Sequence, residues 1–139
     1  MLDLENLNKK VDKFFNQFKD IDSEISHKLH TSYWEEQTYT NIPEHIVIYC
    51  FNGFFVTIYR RFRTNFMSFI KRLTKDEFDQ DDYLFTFKVE KDGFEIKNLE
   101  ECYLIVDNAI DFINSEYNKM KTNFEDEVKT LINNFSTKG

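Results

Sequence analysis

The sequence predicts a single α+β domain over residues 1–139, in which long N- and C-terminal helices pack antiparallel, with two β-hairpins and a short amphipathic helix between them. Three observations predict this fold. Apolar residues recur every three or four positions at both ends of the chain, and two β-branched and aromatic stretches in the middle turn at Asn-Gly or Asp-Gly pairs. Only three Gly and one Pro interrupt the 139 residues, so regular structure should dominate.

The N-terminal segment, residues 3 to 30, is predicted to form one long helix. Its apolar residues follow alternating steps of three and four, which places them in a narrow stripe on one side. The stripe consists of Leu4, Leu7, Val11, Phe14, Phe18, Ile21 and Ile25. A stripe of this kind requires a partner surface.

The middle of the chain contains both hairpin signals. Asn52-Gly53 and Asp92-Gly93 are the residue pairs best suited to the positive φ angles of a type I′ turn. The flanking strands are expected at 45 to 51, 54 to 60, 83 to 90 and 94 to 97. Residues 32 to 39 are a candidate for a further strand.

Between the hairpins, the spacing of Phe62, Phe66, Phe69, Ile70 and Leu73 predicts an amphipathic helix that ends near residue 75. The face opposite these residues is basic. Together with its flanks, this face would present Arg60, Arg61, Arg63, Lys71, Arg72 and Lys75. Such a face could neutralise nucleic-acid phosphates, although the net charge of −7 opposes the approach of a polyanion.

The C-terminal segment, residues 99 to 135, repeats the helical pattern and should form a longer helix whose wider apolar start lies on the sheet. Charge matching favours an antiparallel pair of terminal helices with Leu4 opposite Phe135. In that register Lys9, Lys10 and Lys13 would lie near Glu125, Asp126 and Glu127. The apolar contact could close within one chain or between two subunits, so a coiled-coil homodimer stays an open alternative.

The sequence contains no pattern that predicts catalysis, a metal or a cofactor. His27 and His30 have no third strong ligand in a recognisable spacing, and Cys50 and Cys102 fall in apolar patterns typical of buried cysteines. There is no Gly-rich phosphate loop and no nucleophile motif. We therefore expect a non-enzymatic protein without catalytic or metal-ligating residues. The absence of long apolar runs and of a leader pattern predicts a cytoplasmic protein without a membrane span.

The expected function is that of a small acidic protein-binding module, an inhibitor of the immunity, antitoxin or phage anti-defence (anti-CRISPR) type that occludes its partner's surface. The coding bias toward Lys, Asn and Ile suggests an AT-rich bacterium, a phage or a mobile element. Aromatic residues in polar surroundings are typical of interfaces, and acidic runs can imitate a phosphate backbone. The candidate partner-binding residues are Tyr33, Trp34, Glu35, Glu36, Tyr39, Asp76, Glu77, Asp79, Asp81 and Asp82. A toxin or a nucleic-acid-binding protein is the expected partner, and the basic helix at residues 60 to 75 is the alternative, nucleic-acid-binding interpretation.

Overall fold

A computed structural model of the chain describes residues 3–35, 44–62 and 83–138. The elements follow in the order α1 (Leu4–Phe18), α2 (Ser23–Lys28), β1 (Thr31–Glu35), β2 (Glu44–Phe51), β3 (Phe54–Phe62), β4 (Tyr83–Lys91), β5 (Phe94–Glu95) and α3 (Leu99–Lys138). The helix predicted between the hairpins lies, from residue 63 on, outside the described residues. The mixed α+β class is confirmed.

The strands form one five-stranded antiparallel sheet in the order β1-β2-β3-β4-β5. The chain turns between β2 and β3 at Asn52 and Gly53, and between β4 and β5 at Asp92 and Gly93, with positive φ at all four residues. Type I′ turns require this conformation, which Asn, Asp and Gly adopt at low cost. β3 pairs with β4 along its whole length, so all five described strands belong to a single sheet.

The N-terminal region contains two helices and not the single helix predicted for residues 3 to 30. α1 ends at Phe18, and α2 begins after Asp22, whose carboxylate accepts a hydrogen bond of 2.8 Å from the Glu24 backbone N–H. An Asp at this position satisfies a backbone donor that the new helix leaves free. His30, with φ 53°, then redirects the chain into β1 at the edge of the sheet.

The hydrophobic core lies between one face of the sheet and the helices. The sheet contributes Ile46, Ile48, Val56, Ile58 and Val89, all buried. The buried residues of α1 are Leu7, Val11, Phe14, Phe15 and Phe18, and those of the first half of α3 are Cys102, Val106, Ala109, Ile110 and Ile113. Among the described residues, no helix carries an apolar stretch that could cross a bilayer.

The two long helices run in the same direction where they touch, so the predicted antiparallel arrangement is wrong. Lys10 pairs with Asp107 at 2.6 Å and with Asp111 at 2.8 Å, and further along both helices the Phe18 and Tyr117 rings lie 5.3 Å apart. Lys10 therefore does not lie at the level of residues 125 to 127. Exposed ion pairs are worth only about 0.2–1 kcal/mol, so burial of the apolar faces decides the register instead.

Candidate functional site

The candidate site is the sheet face that points away from the helices, which we call the outer face. Because successive strand residues alternate between faces, the neighbours of the core residues occupy it. The strand register arranges these residues in rows across the sheet. The outer face comprises Ser32, Trp34, His45, Val47, Tyr49, Phe55, Thr57, Tyr59, Arg61, Thr86, Lys88, Glu90 and Glu95.

One row of the outer face is aromatic over three strands. Trp34 in β1 stacks on His45 in β2 at 6.2 Å between ring centroids, and His45 lies 5.6 Å from Tyr59 in β3. Trp34 is 55% exposed, and Tyr59 is also exposed. Cross-strand ring pairs of this kind hold one another in place. The row therefore forms a preorganised strip of aromatic surface that extends to β1 at the edge of the sheet.

A second aromatic pair lies near the turn between β2 and β3. Tyr49 and Phe55, both exposed, meet edge to face at 5.2 Å. The hydroxyls of Tyr49 and Ser32 lie 3.0 Å apart, and the Ser32 oxygen also accepts a 2.9 Å hydrogen bond from the Trp34 indole N–H. Ser32 thereby links the two ring groups and orients Trp34 and Tyr49.

Two buried residues lie between the ring groups of the outer face. The described residues of this face carry few charges. Val47 and Thr57, which pair across β2 and β3 between the two groups, are buried. Arg61 is exposed, whereas the Lys88 ammonium pairs with Glu90 at 3.0 Å. The hydrogen bond from Lys88 to the Glu90 carboxylate raises the lysine pKa, so this side chain stays cationic. The surface is thus aromatic and close to neutral.

Beneath the sheet, a buried ion network fixes the strands that carry the aromatic row. Arg60 is 2% exposed and donates to the Glu44 carboxylate at 2.6 and 3.2 Å. It also donates to Asp12 at 2.9 Å and to Asn16 at 3.1 Å on α1, and its guanidinium lies 4.7 Å from the centre of the Phe15 ring. The network connects β2, β3 and α1 directly below His45 and Tyr59.

The predicted basic helical face is wrong at Arg60 and Arg61. Arg60 and Arg61 belong to β3 and not to a helix, and they point to opposite sides of the sheet. Arg60 follows Ile58 on the core side, so it is not available to a phosphate. Arg61 is exposed beside the aromatic row. The other residues of the predicted basic face, Arg63, Lys71, Arg72 and Lys75, lie outside the described residues.

Of the predicted partner-binding residues, one lies on the core side of the sheet, one reaches the outer face, and most lie outside the described residues. Tyr33 points to the core side, where its ring meets Phe15 at 6.3 Å and its hydroxyl donates to Glu35 at 3.0 Å. Burial raises the pKa of the Tyr33 phenol, and the Glu44 and Glu35 carboxylates add to this effect. Trp34 reaches the outer face, and Glu35 ends β1. Glu36, Tyr39, Asp76, Glu77, Asp79, Asp81 and Asp82 lie outside the described residues.

Four residues with rings on the outer face were not predicted as site residues, namely His45, Tyr49, Phe55 and Tyr59. A signal for them was present, because each of these residues directly precedes or follows a buried aliphatic residue of β2 or β3, namely Ile46, Ile48, Val56 or Ile58. A period-two reading of both strands assigns every one of them to the opposite face.

The described residues contain no cluster of three side chains that could hold a metal ion. Cys102 is buried, and its thiol donates to the Ile96 carbonyl at 2.9 Å. Burial raises the pKa of this thiol, which keeps it protonated and a poor nucleophile. That the chain is not an enzyme stays a prediction.

Comparisons with protein-family models, with curated proteins and with solved structures found no match to this chain.

Proposed function

We propose that this chain is a small acidic protein-binding module and that the outer face of its sheet contacts the partner. The observation that carries the proposal is the exposure of four aromatic rings, Trp34, Tyr49, Phe55 and Tyr59, on one rigid sheet face. Trp and Tyr dominate binding energy at protein interfaces because they bury a large area and lose little side-chain entropy.

The charges of the outer face favour a protein over a nucleic acid as its ligand. Single-stranded nucleic acid can stack on exposed rings, but its binding also needs several cations along the backbone path. Of the described residues on this face, Arg61 and Lys88 are the cations, and Lys88 is paired with Glu90. Arg60 is committed to the buried network. An aromatic surface with so little positive charge suits an apolar protein surface better.

The partner's charge follows from that of the whole chain. A net charge of −7 accelerates encounter with a basic protein and slows encounter with acidic ones. We propose a basic partner, such as a toxin or a nucleic-acid-binding protein, whose working surface this chain occludes. An inhibitor of the immunity, antitoxin or anti-defence type acts in this manner without catalysis.

The test is capture from a lysate of the source organism with three forms of the tagged protein. The wild type is compared with Trp34→Ala/Tyr59→Ala, which removes two rings of the outer face. Phe94→Ala is the matched control, because Phe94 is 77% exposed but lies in β5 at the far edge of the sheet. We expect a basic protein to be retained by the wild type and the control and lost by the double variant.

Two outcomes would overturn the proposal. One is a protein retained equally by all three forms, which would place the interface elsewhere. The other is binding of oligo(dT) or oligo(U) in place of protein, measured as quenching of Trp34, the sole tryptophan of the chain. That result would identify the rings as a stacking platform for bases.

A further inference from the structure

Helix α3 carries an apolar pattern with a period of 11 residues. Three successive sets share this spacing: Val106, Ala109, Ile110 and Ile113; then Tyr117, Met120 and Phe124; then Val128, Leu131, Ile132 and Phe135. An 11-residue period corresponds to about 3.67 residues per turn, which keeps the stripe on one side of a nearly straight helix. The 40 residues of α3 extend over roughly 60 Å.

The exposure of the stripe changes along the helix. The first set is buried against the sheet and α1. In the second set, Tyr117 and Met120 are partly buried, whereas Phe124 is 66% exposed. In the third set, Leu131 is 64% and Phe135 84% exposed. The same apolar pattern that builds the core thus continues onto a surface that water reaches.

We propose that the second half of α3 is an interface for a second copy of this chain, whose own α3 packs on it antiparallel. This inference is independent of the proposed function, because it uses α3 and not the outer face. The stripe needs a partner helix with the same apolar spacing, and a second copy of α3 supplies one.

The antiparallel orientation follows because the sheet and α1 already cover the first set. A parallel second helix would meet the sheet and α1, which occupy the same side of α3 at Val106 and Ile113. In an antiparallel pair, the two sheets lie at opposite ends of the paired helices and do not collide. The register with Phe124 opposite Leu131 of the second copy pairs the apolar side chains of both helices.

That register also fills a recess. An open cavity of about 900 Å³ lies between α2 and α3, with Ile25, Leu29, Tyr117 and Met120 among its lining residues. In the antiparallel pair, Phe135 of the second copy lies opposite Met120, at the mouth of this cavity. Insertion of its ring would bury the most exposed phenylalanine of the described residues.

The area is sufficient for a specific contact. A phenylalanine side chain buries about 150–250 Å², so Phe124 and Phe135 alone expose roughly 300 Å² in each copy. With the aliphatic residues of the third set, two copies would bury on the order of 1,000 Å² in total, which is the threshold for a specific interface.

The test measures the mass of the full chain in solution by sedimentation equilibrium between about 1 and 200 μM. We expect the wild type to dimerise and Leu131→Glu/Phe135→Glu to raise the dissociation constant at least about a hundredfold. Thr122→Glu/Thr130→Glu is the matched control, since both threonines lie on the opposite side of α3. This variant should dimerise like the wild type.

A wild type that stays monomeric over the whole concentration range would overturn the proposal. A dimer that withstands Leu131→Glu/Phe135→Glu would do so equally.

Discussion

The Arg60 guanidinium lies 2.6 Å from the Glu44 carboxylate on the neighbouring strand, in a position that is 2% exposed. Asp12 on α1 lies 2.9 Å from the same guanidinium. One buried cation thus connects two strands to a helix and pairs with two acids of a strongly acidic chain. It also explains why an arginine follows the aliphatic residues of β3 on the core side.

Replacement of Arg60 should therefore destabilise the fold severely. Arg60→Met leaves Glu44 buried without its cation, and removal of one partner from a buried pair costs about 3–5 kcal/mol. Arg61→Met, one residue further along the chain but exposed, should change the free energy of unfolding by less than about 0.5 kcal/mol. Urea unfolding of both variants checks the difference. Equal decreases in the free energy of unfolding for Arg60→Met and Arg61→Met would show that the network contributes little to stability.

The same network predicts partial rescue. Arg60→Met/Glu44→Met removes the most buried pair together, and the remaining acid of the network, Asp12, is partly exposed to water. We expect this double variant to be more stable than Arg60→Met alone, as apolar replacement of a whole buried pair often is. A double variant less stable than Arg60→Met would mean that Glu44 has another role.

Gly53 provides a test of the turn between β2 and β3. Its φ is +81°, and a Cβ added there would meet its nearest atom, Lys91 Cε, at 3.7 Å, which is ordinary contact. Backbone strain alone should thus lower the free energy of unfolding of Gly53→Ala by about 1–2 kcal/mol. Asp92→Gly, at a turn residue whose φ is 53°, should leave the free energy of unfolding unchanged or raise it. Chemical denaturation compares the two, and an unaffected Gly53→Ala would contradict the turn geometry.

Alkaline pH should weaken the fold through Tyr33. Its phenol has a pKa raised above the usual value near 10 by burial and by Glu44 and Glu35, so the fold favours the neutral form. Unfolding releases this proton once the pH exceeds about 10, and the stability contributed by Tyr33 is lost as the pH rises further. In Tyr33→Phe, the free energy of unfolding should fall less steeply between about pH 9 and 11. Identical slopes would exclude this linkage.

Local chemistry made the sheet predictable. Asn52-Gly53 and Asp92-Gly93 specify turn positions by themselves, and β-branched residues mark the strands that flank them. The end of β3 was harder, because Arg60 and Arg61 can equally begin a basic helix. Alternation with Val56 and Ile58 does assign Arg60 to the core side, but only for a strand that continues past residue 60.

Long-range packing was not predictable from the patterns used. The apolar stripe of α1 fits either direction of a partner helix, and acidic residues occur along much of α3, so Lys10 could be matched with several of them. Asp22, which starts α2, carries a capping signal that the continuous apolar spacing obscured. The aromatic row of the candidate site combines residues of β1, β2 and β3, and only the sheet register brings Trp34 beside His45 and Tyr59.

Calorimetric titration of the captured partner measures whether the outer face binds a basic protein. Wild type, Phe94→Ala and Trp34→Ala/Tyr59→Ala are compared after circular dichroism has shown equal folding. Loss of two hot-spot rings should weaken binding at least about a hundredfold, while Phe94→Ala changes the affinity less than about threefold. Affinities that agree within threefold for all three proteins would contradict the claim that the outer face is the working surface.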